Sequence, residues 1–210
     1  MNDQNRIAIF WDVDNVIINT AEVLIEMIKK EYNTDNEKTI YDLKDWELKS
    51  IDRDIDPDFI SRALEDSYFW QNIQFNRQFI NFIFTTTAIK FDHYFVTVGT
   101  AMNRTMKKIL IEELMGGGRF PDNQYMFLGF DKKFDKSIVP MEGGIQIDDK
   151  IANLANTTAS IKILVKNLTE TDYNTFNNLN YSIDNLYEVN TLDEVIDILN
   201  FIANNPQMLS

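Results

Sequence analysis

The chain has 210 residues, contains no cysteine and carries a formal net charge of -13. The lack of cysteine excludes disulfides and thiolate metal sites, and the acidity argues against a nucleic-acid polymer as a partner, because no large basic face can form. A small anion stays compatible with this charge, since it needs only a local positive site. No apolar run approaches the roughly 18 residues of a membrane span and no signal-peptide pattern is present, so we expect a soluble, cytoplasmic protein without a membrane partner.

The first predicted element is a strand over residues 7–11, because a short apolar run is typical of a strand that is buried on both faces. Two aspartates, Asp12 and Asp14, follow this run directly. Like charges at the end of a buried strand indicate either a solvated turn or a site that binds a positive counter-charge. The elements that follow decide between these two alternatives.

The stretch that follows the first strand, residues 21–89, contains helical patterns but does not fit a simple crossover. A helix begins after Asn19, which forms a capping-box-like pair with Glu22. A second helix begins at Pro57 and runs into the aromatic segment EDSYFWQNIQFN, and a third spans about residues 76–89. A structureless loop of this length would be improbable. We interpret the stretch as a small helical cap domain that is inserted into an α/β core. The two parts of that core are residues 1–20 and 90–210.

Five further strands are predicted along the rest of the chain, and they alternate with helices. The last helix begins with a capping box that Thr191 and Glu194 form. Strands that alternate with helices predict βαβ units and a parallel sheet, so we expect an α/β fold with a Rossmann-like core. The five strands are residues 93–99, 124–130, 145–147, 160–167 and 186–189.

Polar residues stand at the ends of several predicted strands or in the loops beside them. In a parallel α/β sheet, ligands bind at the carboxyl ends of the strands. Carboxylates, a hydroxyl and an amine that converge at one edge suit a hard cation and a phosphate. The residues concerned are Asp12, Asp14, Thr97, Lys136, Asp148 and Asp149.

Four motifs in the chain resemble, in order and spacing, those of the haloacid dehalogenase-like phosphatases. DVDNV resembles the first motif, D-x-D-x-(T or V), and YFVT resembles the second, a hydrophobic strand that ends in Thr or Ser. DKS supplies the motif lysine, and IQIDD resembles the acidic fourth motif. The resemblance covers about residues 7–163 and implies a haloacid dehalogenase-like core.

Within that family the chain is most similar to the cytosolic 5'(3')-deoxyribonucleotidases. YDLKDWELKS resembles their cap element, DSYFWQNI resembles the aromatic segment that lines their base pocket, and DKSIV followed by IDD resembles their DKT and IDD. The chain departs from their pattern at Asn15, where they usually have glycine, and at Val98, where a serine is expected. PMEGG also lengthens the turn before Asp148.

The resemblance implies a Mg2+-dependent phosphomonoesterase that acts in two steps. Asp12 would attack phosphorus to form an aspartyl phosphate, while Asp14 would protonate the leaving oxygen and then activate water. The implied metal ligands are Asp12, the backbone carbonyl of Asp14, and Asp148. Asp149 would bind the metal directly or through water.

The resemblance also implies how the substrate, a small phosphate ester, would bind. Thr97, Val98 and Lys136 would contact the phosphate. Phe69 and Trp70 would offer a flat apolar surface to a nucleobase, although such rings are equally often core residues. The expected substrates are nucleoside monophosphates, and deoxyribonucleotides foremost among them.

Structural roles stay open for several of these residues. Asp148 and Asp149 could be a helix cap and its neighbour, Lys136 lies in a charged run, and Thr97 could be a β-branched strand residue. Two other functions stay open as well. One is a phosphatase of the same fold that acts on another small ester, and the other is a catalytically silent binding protein. The oligomeric state is also open, with a homodimer as one option.

Overall fold

A sheet of six parallel strands forms the centre of the protein in a computed structural model, which describes residues 6–34, 37–43, 48–116, 120–129, 136–166 and 183–209. The spatial order is β3-β2-β1-β4-β5-β6, so β1 lies between β2 and β4. The predicted α/β class with a Rossmann-like parallel sheet is therefore confirmed. The strands are β1 (Ile7–Asp12), β2 (Phe91–Gly99), β3 (Tyr125–Gly129), β4 (Ile145–Asp148), β5 (Ile161–Val165) and β6 (Leu186–Val189).

The register of the central strands brings their polar ends together. Asp12 pairs with Val96 of β2, which places Thr97 one residue beyond it. On the other side of β1, Trp11 pairs with Ile147, so the next residues, Asp12 and Asp148, are neighbours across the sheet. The interior strands bury both faces because helices cover both sides, as is typical of all-parallel sheets.

Seven α-helices lie in the described ranges, and none of them is long and apolar enough to cross a membrane. The last one begins as predicted, because the Thr191 hydroxyl accepts a hydrogen bond from the Glu194 amide at 3.3 Å. The helices are α1 (Thr20–Tyr32), α2 (Phe59–Ala63), α3 (Ser67–Asn72), α4 (Arg77–Ile83), α5 (Ala101–Leu114), α6 (Ile151–Ala155) and α7 (Leu192–Asn204).

The helices α1 to α4 connect β1 to β2, as expected for an insertion at this point of the chain. Buried side chains of α1, α2 and α3 form a hydrophobic cluster that is separate from the core of the sheet. Residues of α4 instead pack on β1, where the ring of Phe79 meets Trp11 edge to face at 5.3 Å. The division into a core and a cap of residues 21–89 stays a prediction. The YDLKDWELKS element lies partly outside the described residues, which omit 44–47.

Two helices of the insertion are shorter than their sequence patterns predict. The helix expected from Pro57 begins at Phe59 and breaks after Ala63, before α3 begins at Ser67. The helix expected to reach residue 89 ends at Ile83 and is followed by a short 3-10 turn. Short helices rely on packing rather than on their own propensity, so pattern alone places their ends poorly.

Candidate active site

The turn after β1 carries two of the predicted site residues and is not a solvated turn. Asp12 is 6% exposed, and Val13, Val16 and Ile17 are fully buried. The Val13 amide donates a hydrogen bond of 2.6 Å to Asp12 Oδ1. A turn that is held by apolar residues and backbone bonds fixes its carboxylates, so a functional role is favoured over the solvated-turn alternative.

Asn15 occupies a backbone conformation that glycine adopts most readily. Its φ is 59°, in the left-handed region that asparagine tolerates better than most residues. Its side chain adds two contacts that glycine cannot make. Oδ1 accepts a hydrogen bond from the Ala21 amide at 2.8 Å, and Nδ2 donates to Asp149 Oδ2 at 3.2 Å. Asn15 therefore ties the start of α1 to the acidic residue after β4.

The predicted capping box of Asn19 and Glu22 is wrong in its detail. The Asn19 side chain accepts a hydrogen bond from the Gln74 amide at 2.7 Å and donates to Glu22 at 3.1 Å, and it does not cap the helix. The cap is supplied by Asn15 through the Ala21 amide. Local sequence spacing could not reveal this, because the backbone at Asn15 first has to turn toward the helix.

We expect that replacing Asn15 by alanine lowers the free energy of unfolding by about 1 kcal/mol more than replacing it by glycine. Both changes remove the two side-chain hydrogen bonds, but only alanine keeps a Cβ that is strained at positive φ. Urea unfolding of the two variants measures the difference. Asn33→Gly is the matched control, because Asn33 has a φ of 51° at the exposed end of α1. Equal stabilities of Asn15→Ala and Asn15→Gly would contradict this account.

Lys136 lies between two of the predicted aspartates. Its Nζ is 2.7 Å from Asp12 Oδ1 and 2.7 Å from Asp148 Oδ2, and the side chain is buried. The alternative of a solvated charged run is therefore excluded for Lys136. The residue before it in the DKS motif, Asp135, lies outside the described residues.

Asp148 is fully buried and accepts hydrogen bonds from several donors. They are Nε2 of Gln146 at 3.3 Å, the Lys150 amide at 2.9 Å, and Nδ2 of Asn153 at 2.9 and 3.1 Å. Asp148 is not the N-cap of α6, a position that Lys150 occupies. Several hydrogen-bond donors hold the Asp148 carboxylate in one orientation, and a carboxylate that binds a metal ion needs such a fixed orientation.

The three carboxylates of Asp12, Asp148 and Asp149 form a buried cluster. Each offers a ligand oxygen, and these oxygens all lie within 4.8 Å of one another. Burial raises the pKa of Asp12 well above its usual range, although the Lys136 ammonium opposes the shift. Burial, reinforced by the charge of Asp148, raises the pKa of Asp149 to about 7. Crowded oxygen donors whose charges disfavour one another fit a hard divalent cation, which these three residues could hold.

The Asp14 side chain is not a member of that cluster and is held by three donors. The Thr20 hydroxyl donates to Asp14 Oδ1 at 2.7 Å, and the Thr97 hydroxyl donates to Oδ2 at 3.1 Å. The third donor is Nζ of Lys107 on α5, which forms an ion pair with Oδ2. Burial favours a raised pKa for Asp14, but the Lys107 ammonium, the hydrogen bond from Thr20 and the charge of Lys136 together lower the pKa of this carboxyl. Metal binding by the Asp14 backbone carbonyl stays a prediction.

Thr97 and Val98, the predicted phosphate contacts of β2, differ in their surroundings. Thr97 is fully buried, and its hydroxyl joins Asp14 to Lys107. Thr97 is therefore more than a β-branched strand residue. Val98 is half-buried and pairs with Leu128 of β3, and its role toward phosphate stays a prediction.

Phe69 and Trp70 lie in the interior of the insertion. Both are buried in the hydrophobic cluster of α1 to α3, and their rings meet edge to face at 4.9 Å. The Trp70 indole donates a hydrogen bond of 3.0 Å to the Leu64 carbonyl. The prediction that these rings line a base pocket finds no support in this packing, because a ring that is 8% exposed has little surface left for stacking. The alternative of core residues accounts for both.

Lys107 is the site residue that the sequence analysis missed. Asn103, Lys107 and Ile111 are spaced four residues apart, and all three are buried on one face of α5. The helical spacing of Lys107 from these two positions could have indicated that it is buried. A lysine is rarely fully buried unless it has a charged partner, so the same spacing would also have indicated a carboxylate nearby. The neighbouring Lys108 is out of phase with these positions and partly exposed.

Solved structures of other proteins share this architecture. The structure is similar to that of a protein described as a haloacid dehalogenase-like hydrolase from Burkholderia xenovorans LB400, with a TM-score of 0.55 and 13% identity over 93% of this chain and 97% of that chain. A haloacid dehalogenase-like family hydrolase from Xanthomonas campestris is similar with a TM-score of 0.50 and 13% identity, over 96% of this chain and 100% of that chain. No protein-family model matches the sequence, and no curated protein is significantly similar to it. The chain therefore has the fold of the haloacid dehalogenase-like hydrolases.

Proposed function

We propose that this protein is a Mg2+-dependent phosphomonoesterase that works through an aspartyl phosphate on Asp12. The observation that carries the proposal is the buried cluster of Asp12, Asp148 and Asp149, with Lys136 beside it and Asp14 held apart on Thr97. The fold alone does not determine the reaction, so the argument rests on this geometry.

The two aspartates of the turn after β1 have environments that suit different roles. Asp12 contacts Lys136 and belongs to the acidic cluster, which is the place for a nucleophile that attacks phosphorus. Asp14 is ionised in the free protein because its pKa is lowered. A phosphate dianion that binds beside Asp14 brings negative charge and favours the uptake of a proton. Asp14 then gives that proton to the leaving oxygen and later takes one from the water that attacks the aspartyl phosphate.

The charges of the site support a divalent cation. The carboxylates of Asp12, Asp14, Asp148 and Asp149 face only two lysines in the described part of the site, Lys107 and Lys136. One divalent cation would neutralise the remaining formal charge. Bound Mg2+ would screen Asp12 from the other carboxylates and polarise the phosphate oxygens.

Nucleoside monophosphates, and deoxyribonucleotides foremost, are the substrates that we propose. The support for this narrower proposal is the resemblance of DKSIV, IDD and the cap segment to the 5'(3')-deoxyribonucleotidases. The second candidate is a phosphatase of another small ester, which the burial of Phe69 and Trp70 favours. A silent binding protein of the same fold is the weakest candidate, because Asp12, Asp14 and Lys136 are all in place.

A phosphate-release screen tests the proposal and separates the candidates. The panel holds 5'- and 3'-nucleoside monophosphates, in ribo and deoxy forms, together with sugar phosphates and p-nitrophenyl phosphate, each with and without Mg2+. Selective turnover of deoxyribonucleotides would support the nucleotidase, and selective turnover of sugar phosphates would support the second candidate. No release from any ester in the presence of Mg2+ would overturn the phosphatase and favour the binding protein.

We expect the stabilisation by Mg2+ to grow as the pH rises from about 5 to about 8. Because the pKa of Asp149 is raised to about 7, protons occupy the cluster at low pH and compete with the metal. The same shift implies that stability without metal falls as the pH rises from about 4 to about 7, since ionising a buried carboxyl disfavours the folded state. Thermal unfolding with and without Mg2+ at several pH values measures both effects. In Asp149→Asn the pH dependence should shrink, and an unchanged dependence would contradict the assignment to Asp149.

A further inference from the structure

Lys107 lies on the face of α5 that is turned to the site. Its side chain is only 1% exposed, whereas most lysine side chains extend into solvent. Two neighbours on the same helix, Met106 and Leu110, pack against the hydrophobic cluster of α1 to α3. The helix therefore lies between the sheet and the insertion, and the burial of a charge there has to be compensated by a partner.

The partner of Lys107 is the proposed acid and base of the reaction. Nζ forms an ion pair with Asp14 Oδ2 and lies 2.8 Å from Thr97 Oγ1, which in turn donates to Asp14 Oδ2 at 3.1 Å. The other carboxylate oxygen accepts from Thr20 at 2.7 Å. The Asp14 side chain is still 19% exposed, so one edge of the carboxylate stays open to a reactant.

The two lysines of the site divide the carboxylates between them. Lys136 contacts Asp12 and Asp148, the nucleophile and a metal ligand of the proposed reaction, and Lys107 contacts Asp14. Without Lys107, the negative Asp14 carboxylate would keep only the hydroxyl donors Thr20 and Thr97, which do not fix a charge as strongly as an ammonium does. The open edge of Asp14 would then no longer face the leaving oxygen.

We propose that Lys107 is a positioning residue that holds the Asp14 carboxylate on Thr97, in the orientation from which it transfers a proton to the leaving group. The proposal rests on the proposed function. A residue that acts through the general acid affects substrates unequally. A p-nitrophenolate leaving group is stable as an anion and hardly needs the acid, whereas an alkoxide depends on it.

The experiment compares Lys107→Met with Lys107→Arg, which keeps a positive donor, and with Lys108→Met as the matched control one residue away. Lys108 pairs with Glu112 on α5 at 3.7 Å, and its ammonium lies 5.3 Å from the ring centroid of Tyr125 on β3. Turnover of p-nitrophenyl phosphate and of glycerol 2-phosphate is measured for each protein in the presence of Mg2+. We expect Lys107→Met to lower kcat/KM, which reports departure of the leaving group and not the later hydrolysis of the aspartyl phosphate, by about a hundredfold for glycerol 2-phosphate and by less than about tenfold for p-nitrophenyl phosphate. Lys108→Met should match the wild type, and Lys107→Arg should recover part of the loss.

Crystal structures of the wild type and of the Lys107 variants give a second readout that is independent of turnover. In Lys107→Met the Asp14 carboxylate should leave Thr97, and in Lys107→Arg it should stay. If Lys107→Met does not fold, Lys107→Gln replaces it in both measurements. Equal losses for the two esters, or an unmoved Asp14 carboxylate, would overturn the proposal. A wild type that releases no phosphate from any ester overturns the proposed function instead, and Lys107 as a positioning residue with it.

Discussion

Phosphate release should fall by at least about a thousandfold when Asp12 is replaced by asparagine, while the protein stays folded. The amide cannot form the aspartyl phosphate, so the two-step route is closed. The shape is nearly unchanged, and the asparagine oxygen can still accept the hydrogen bond that the Val13 amide donates to Asp12. Stability should change little, because the pKa of Asp12 is raised and its ionised form is disfavoured in the folded protein.

The measurement pairs steady-state phosphate release with thermal unfolding of the same preparation. Asp197→Asn is the matched control, since Asp197 lies exposed on α7 and the substitution is identical. It should leave both quantities near wild type. A folded Asp12→Asn protein that releases phosphate at close to the wild-type rate would remove Asp12 from the role of nucleophile.

Removal of divalent cations by a chelator should abolish turnover, and the addition of Mg2+ should restore it. The physical reason is that Asp12, Asp148 and Asp149 place three buried oxygens within 4.8 Å of one another. An ionised nucleophile in such a cluster is unfavourable unless a cation compensates the repulsion. Lys136 contacts Asp12 and Asp148, but its single charge cannot balance three carboxylates.

Asp148→Asn separates the loss of metal from other effects of the chelator. The variant should stay folded but lack the Mg2+-dependent rise in Tm that we expect of the wild type, because one ligand charge is missing. The matched control is Asp92→Asn at the other end of the sheet, where Asp92 pairs with Arg6 at 3.6 Å. Full activity of the wild type after exhaustive chelation would exclude a divalent cation from the mechanism.

The sequence by itself determined the parallel sheet and the places of its polar ends. Apolar runs, helix caps such as Thr191, and the order of the elements are local features, and the carboxyl edge of a parallel sheet follows from them. That is why the predicted grouping of Asp12 with Asp148 and Asp149 agrees with the buried cluster. Their proposed roles go further than this geometry and await the measurements above.

Only the tertiary structure decided which side chains meet across long stretches of chain. Lys107 reaches Asp14 over 93 residues, and Asn15 reaches Asp149 over 134 residues. The burial of Trp70 could not be predicted from the sequence either, because an aromatic ring on a short helix is compatible with a ligand cleft and with a hydrophobic core. These outcomes depend on how helices rotate and pack, since a rotation of one residue along α5 would have exposed Lys107 and buried Lys108. The helical period tells which residues of α5 share a face. Only the packing of α5 against β2 and the insertion decides which of these faces is buried.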